Sequence, residues 1–340
     1  MQVAEDSGEV AQKILKVISE SFYIDGSQFD LSCSIGISVC PNDGDDFDTL
    51  LKKADTALYQ SKSCGRNTYQ FFTTEMNQKA MLRMSLDIEM RRGYELNEFS
   101  LFYQPQYEMA SGKIKGAEAL IRWHHATKGY ISPIEFISVA EDTGFINTLG
   151  QFVIERACQQ AKLWIELGYP IVIAVNVSAV QFANNNNLLE QILSSLERSG
   201  LPPNYLELEL TESTLALQPD KLMQIMNQLR SCGVRFSVDD FGTGYSNLSY
   251  LKSFPLDKIK IDQSFVRDIP GDSHDEGLIK SIISLAASLE LNCIAEGVET
   301  SDQVNFLISL GCEEAQGYFF ARPLPSVELT ELLTRYKSML

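Results

Sequence analysis

Residues 206–211 read LELELT. Side chains alternate across an extended strand, so Leu206, Leu208 and Leu210 take one face and Glu207 and Glu209 the other. The same division recurs in 234–239, where Val234, Phe236 and Val238 oppose Arg235, Ser237 and Asp239. In 258–262, Ile259 and Ile261 oppose Lys258, Lys260 and Asp262; in 171–178, Asn176 lies opposite Val175 and Val177. Working outward, strands are expected at 100–104, 115–123, 171–178, 205–211, 234–239, 258–262, 292–296 and 314–320. Amphipathic helices fall between most of them, for example 146–167 and 220–232. Eight strands alternating with helices over about 240 residues predict an α/β fold, a (β/α)8 TIM-type barrel. A doubly wound open sheet is the alternative, but no GxGxxG follows the first strand.

In such a barrel the leucines and isoleucines meet the outer helices and the polar sets point inward. Each strand carries its distinctive polar residue towards its C-terminal end: Glu118, Asn176, Glu209, Asp239, Lys260, Glu296 and Gln316. Barrel enzymes build their sites at that end. Asp239 and Asp240 close one strand, and a loop with Gly242 and Gly244 follows. Adjacent carboxylates repel unless a cation lies between them or one takes up a proton; the bland reading is a solvated acidic turn. Glu118, Glu209 and Asp239 with the neutral amide Asn176 make an all-oxygen cage for a hard cation, and Asp240 extends it to a second. Two such ions suit in-line attack on a phosphodiester. Lys260 is the positive charge in this acidic ring, able to orient water or to stabilise charge on phosphorus; its structural alternative is an ion pair with Asp262 or Glu207. Glu296 and Glu299, in AEGVE, are placed to hold the second ion through water.

Composition narrows the chemistry. The chain has 340 residues and a net charge of −17. That charge argues against capture of polymeric nucleic acid, but not against a small anionic ligand. Three histidines exclude a His-rich metal centre, which leaves oxygen ligands and hence Mg2+ or Mn2+. Seven scattered cysteines with no CxxC read as buried reduced thiols of a cytoplasmic protein. No apolar run approaches the ~20 residues of a membrane span, and Met1 opens no secretory signal, so no membrane contact is expected.

Residues 1–72 read as a small α/β piece with two strands at most, at 30–39 and 68–72, and a helix capped by Asp48 and stopped by Gly65. Residues 73–97 read as a linker helix, and 98–340 as the barrel domain. SIGISVCPNDG (34–44) and LLKKADTALYQSKSCGRNTYQFF (50–72) resemble the C-terminal half of a GGDEF, or diguanylate cyclase, domain. That family's catalytic motif would lie upstream of Met1. The resemblance therefore implies no cyclase activity, a fragment of a longer protein, and earlier domains that could tether it to a membrane.

The barrel resembles an EAL domain, the cyclic di-GMP phosphodiesterase family. The matching stretches are YQP (103–105), EALIRW (118–123), VNVSAVQF (175–182), LELELTES (206–213), DDFGTGYSNLSYL (239–251), KIDQSFV (260–266), AEGVET (295–300) and QGYFFARPL (316–324). The resemblance implies two-metal hydrolysis of cyclic di-GMP to linear pGpG with two Mg2+ or Mn2+, in a barrel whose first strand runs antiparallel. It implies Glu118, Asn176, Glu209 and Asp239 on the first metal, and Asp239 with Asp240 on the second. Lys260 would touch the attacking water, with Glu296 and Glu299 behind it. Gln104, Leu120, Arg122, Asp262 and Gln316 would contact the dinucleotide. Glu212 would anchor the loop from Phe241 through Gly242 to Ser246, which in this family couples to a homodimer contact through the barrel. Ala126 departs from the family's usual proline, in a loop beyond the second strand. The rival reading is a catalytically silent cyclic di-GMP receptor; such receptors usually lack an acidic ligand or the lysine, and here all are present. A kinase, suggested by DFG at 240–242, lacks its companion HRD and glycine-rich loops.

Overall fold

The computed structural model describes residues 2–19, 21–24, 27–29, 31–183, 188–216, 219–243 and 251–338. The chain forms two compact units, Met1–Glu89 and Met90–Leu340.

In the first unit a helix, Gln2–Ile18, precedes an antiparallel hairpin of β1 (Phe22–Ile24) and β2 (Ser27–Phe29). Strands β3 (Ile35–Ile37) and β4 (Tyr69–Phe71) pair in parallel. Among its described residues the unit thus has four short strands rather than two at most, because β1 and β2 have too little apolar alternation to be read from sequence. The helix Phe47–Ser63 crosses between β3 and β4. Its N-cap is Asp46, not Asp48: the Asp46 carboxylate accepts the Thr49 N–H at 2.9 Å. Gly36 lets strand and helix touch, since a Cβ there would lie 2.0 Å from the Ala54 carbonyl oxygen. A long helix, Thr74–Glu95, runs across the boundary between the units.

The second unit is a closed eight-stranded barrel, as the alternation predicts. Its strands are β5 (Phe99–Glu108), β6 (Lys113–His125), β8 (Val172–Asn176), β9 (Leu206–Thr211), β10 (Arg235–Phe241), β11 (Lys258–Ile261), β12 (Asn292–Ala295) and β13 (Glu314–Ala315). From β6 to β13 neighbours pair in parallel. β5 closes the ring antiparallel to both β6 and β13. β7 (Gly129–Ile131) extends β6, and β14 (Leu324–Pro325) adds to β5.

The predicted division of faces holds. Leu206, Leu208, Leu210, Phe236, Val238 and Ile259 are fully buried in the core between strands and helices. The last strand is two residues long, not the seven of 314–320. Beyond Ala315 the chain folds against the segment after β12: Val298 N–H donates to the Gln316 carbonyl, and a Cβ on Gly317 would lie 2.1 Å from the Val298 oxygen. The cysteines depart from the buried reading: Cys158, Cys293 and Cys312 are buried, whereas Cys40, Cys64 and Cys232 are exposed. Among the described residues no helix is long and apolar enough to cross a membrane.

Gly36→Ala forces helix and strand apart, so it should destabilise the first unit by about 1–3 kcal/mol. Faster amide exchange in Ile35–Ile37 and Tyr69–Phe71 is the expected readout, and unchanged exchange would remove the close-contact account.

Candidate active site

Strand parity delivers the polar residues to one mouth of the barrel. Lys260, only 1% exposed, is the hub. Its Nζ lies 2.7 Å from Glu209 Oε2, 2.7 Å from Glu296 Oε1, 3.0 Å from Asp239 Oδ1 and 3.8 Å from Glu118 Oε2. The alternative partners anticipated for it, Asp262 and Glu207, are engaged elsewhere. Glu207 pairs with Lys258 one layer deeper, at 3.5 Å. Asp262 caps the short helix Gln263–Val266 by accepting from Ser264.

Glu118 is held from two sides. Asn176 Nδ2 donates to its Oε1 and Gln316 Nε2 to its Oε2, each at 2.6 Å. Gln316 also donates to Gln104 Oε1 at 3.1 Å. Gln104, Glu118, Leu120, Asp239, Glu296, Glu299 and Gln316 share one cleft of about 220 Å3. Arg122 lies on a separate pocket with Phe102 and Tyr130, its guanidinium 5.6 Å from the Phe102 ring centre. Asp240 follows Asp239 with φ of 53°, a turn that brings both carboxylates to the mouth. Carboxylate oxygens of Asp239, Asp240 and Glu296 lie within 4.8 Å of one another. Glu212 Oε2 accepts the Gly242 N–H at 3.3 Å, next to the buried Phe241. Ser246 lies outside the described residues. Sequence reasoning missed Gln263, Gly297 and Tyr318, which also line the cleft. Their signal was position: Gln263 follows KID, Gly297 closes AEG and Tyr318 follows QG.

The site holds more carboxylates than one ammonium can balance. Burial opposes the Lys260 charge, but Asp239, Glu118, Glu209 and Glu296 together hold its pKa well above the ordinary lysine value. Burial also opposes ionisation of Glu118; the Lys260 charge and the bonds from Gln316 and Asn176 overcome it and keep the group below the usual carboxyl range. The remaining groups go the other way. Burial, with the charges of Glu118 and Asp239, pushes Glu209 well up despite Lys260. Glu296 is pushed up to about 8 by burial, with Asp239 and Glu118 adding to it against Lys260. Asp240 is pushed up to about 6 by burial and by the Asp239 and Asp262 charges. Glu209 Oε1 is buried with no hydrogen-bond partner. A hard divalent cation fits this donor set: it would take the free carboxylate oxygen and relieve the repulsion that protons otherwise relieve.

These features define a (β/α)8 barrel with a carboxylate site built round one buried lysine at its C-terminal mouth. A family model described as "EAL domain" matches residues 88–323, and the chain belongs to the EAL-domain family. A model described as "Diguanylate cyclase, GGDEF domain" matches residues 1–68. The chain is 41% identical over 325 residues to the bifunctional diguanylate cyclase/cyclic di-GMP phosphodiesterase MucR of Pseudomonas aeruginosa, covering 95% of this chain and 47% of that protein. It is 38% identical over 329 residues to the cyclic di-GMP phosphodiesterase PdeR of Escherichia coli, covering 96% and 49%. It therefore spans about half the length of these curated relatives or less. The solved structure of the PaMucR phosphodiesterase in complex with c-di-GMP matches with a TM-score of 0.70 at 41% identity, over 72% of this chain and 99% of that one.

A carboxyl whose pKa is raised on folding stabilises the fold below its unfolded value, and the contribution is lost as pH rises through the folded value. For Glu296 that window runs from 4.5 to about 8, and for Asp240 from 3.8 to about 6. Glu118 is depressed and works in the opposite sense, but its contribution is already complete above the ordinary carboxyl value of 4.5. In chelator, the thermal midpoint should therefore fall between about pH 6 and pH 8. Glu296→Gln should flatten that fall; an unaltered slope in the variant would count against the assignment.

Proposed function

We propose that this chain hydrolyses one phosphodiester bond of cyclic di-GMP to linear pGpG and so lowers a bacterial second messenger. The supporting observation is the convergence of Glu118, Asn176, Glu209, Asp239 and Asp240 on a mouth that also holds Lys260, in a chain whose relatives are named as cyclic di-GMP phosphodiesterases. In this reading residues 98–340 are the phosphodiesterase domain, 73–97 a linker helix, and 1–72 a GGDEF-like segment. The protein would act in the cytoplasm, with two copies associating through the barrel.

Glu118, Asn176, Glu209 and Asp239 would hold one Mg2+ or Mn2+, and Asp239 with Asp240 a second. When bound, two such ions supply Lewis-acid polarisation of the phosphate oxygens and of the attacking water. The chain's own contribution is positioning and charge. Lys260 stays cationic, because four carboxylates hold its proton, and so acts as a donor rather than a base. From the wall of the cleft it would orient the attacking water and counter negative charge growing on phosphorus. Glu296 and Glu299 line the same cleft and would take up a released proton. Gln104, Leu120 and Gln316 would seat the dinucleotide, with Asp262 reaching the site beside Asp240. Arg122 would pair with a phosphate, where a planar guanidinium fits two oxygens. Glu212, through Gly242, would steady the loop that follows Asp240.

Incubation with cyclic di-GMP, in Mg2+, Mn2+ and chelator, tests the reading by product separation. Metal-dependent pGpG is expected. Tight binding without product would support a receptor instead. Glu118→Ala should lower kcat by about 10³-fold and weaken Mn2+ binding. Lys260→Ala should cut kcat on the order of 10²-fold while leaving KM within a few-fold. Loss of nucleotide binding in Lys260→Ala would move that residue from catalysis to recognition.

A further inference from the structure

Two loops carry the cleft wall around the Lys260–Glu296 pair. One follows β11 and comprises Asp262 and the helix Gln263–Val266; the other follows β12 and runs from Glu296 to Thr300. They touch at Gly297, where a Cβ would lie 2.5 Å from Gln263 Cβ. Beneath that contact is Gln303, 4% exposed, on the helix Ser301–Ser309.

The Gln303 amide is saturated by four backbone bonds. Its Oε1 accepts the N–H groups of Glu299 at 2.7 Å and Thr300 at 3.0 Å. Its Nε2 donates to the carbonyls of Val266 at 2.9 Å and Arg267 at 3.2 Å. An amide has two acceptor sites and two donors, and all are used. The bond from the Thr300 N–H belongs to a capping box in which Thr300 Oγ1 accepts the Gln303 N–H at 3.2 Å. A capping box needs only the bonds at its own helix end. The second pair serves another element, the free C-terminal carbonyls of the preceding loop's helix.

We propose that Gln303 is a positioning residue for the hydrolysis: one buried amide clamps the loop after Lys260 to the loop bearing Glu296 and Glu299, fixing their separation across the cleft. The proposal rests on the phosphodiesterase reading above. Gln303 touches no reacting atom and acts only through backbone.

The test compares the full chain with Gln303→Leu and with Trp164→Phe. The latter removes a partly buried bond to Thr330, between the helices Ile146–Glu166 and Ser326–Ser338, and serves as a matched destabilisation. Loosening a positioned carboxylate costs turnover more than binding, so Gln303→Leu should lower kcat on the order of 10- to 100-fold with KM within about threefold. Trp164→Phe should leave kcat within about twofold at the same loss of thermal midpoint. Amide exchange, read on the same proteins, should quicken at Glu299 and Thr300 in Gln303→Leu alone. Equal kcat losses in the two variants, or protected Glu299 and Thr300 amides in Gln303→Leu, would overturn the proposal. If the parent chain makes no pGpG, the phosphodiesterase reading fails instead. The clamp is then decided by exchange alone: quickened Glu299 and Thr300 amides in Gln303→Leu but not in Trp164→Phe support it, and protected amides in Gln303→Leu overturn it.

Discussion

One buried ammonium surrounded by four carboxylates sets the terms for the rest of the barrel. Removing Lys260 and Glu209 from water costs several kcal/mol per charge, and the cost is met only where partners stand close and in good geometry. The observed separations of 2.7–3.0 Å from Lys260 to carboxylates on β9, on β10 and on the segment after β12 meet that condition. They also require β9, β10, β11 and the chain beyond β12 to keep a fixed register. A one-residue slip of any strand would turn its carboxylate outward into the leucine layer and leave the lysine short of a partner. The second lysine, Lys258, repeats the arrangement one layer down against Glu207 and Glu314. The interior of this barrel is therefore an ionic lattice inside an apolar sleeve, and the sleeve supplies the folding drive.

That division explains what the sequence made legible. A period of two on a strand is unambiguous when its faces differ as sharply as leucine and glutamate do, so barrel and site followed from LELELT, RFSVDD and KIKID. The closing strand is shorter than its sequence predicts, because QGYFF reads as apolar and aromatic. What ends it is a backbone approach at Gly317, which no local pattern encodes. The pairing of 22–24 with 27–29 has no sequence signal, because two three-residue strands leave no room for periodicity. The helix start was misplaced by two residues because three aspartates stand at 45, 46 and 48, and only geometry shows which one reaches an N–H.

The site shows the same boundary between pattern and geometry. Residues that act by charge were readable, since a lysine or carboxylate at an inward strand position demands a reason. Neutral residues that act through shape or backbone were not. Gly297, Gly317 and Gln303 look like ordinary loop and helix-start residues until the neighbouring chain is seen against them. Arg122 is an intermediate case. Its charge marked it, but its place on a pocket beside Phe102, apart from the carboxylate cleft, is a product of the β5–β6 pairing.

The reversed direction of β5 alters the wiring of the molecule. In an all-parallel barrel the chain arrives at the floor and must climb a full strand before reaching the working rim. Here Phe99 pairs with Trp123, at the same end as Arg122, so polypeptide feeds into the barrel at the rim itself. A displacement of the incoming segment is thus delivered one residue from a site position, without crossing the core. The entry of the chain and the carboxylate mouth share one edge, a wiring that an all-parallel barrel does not have.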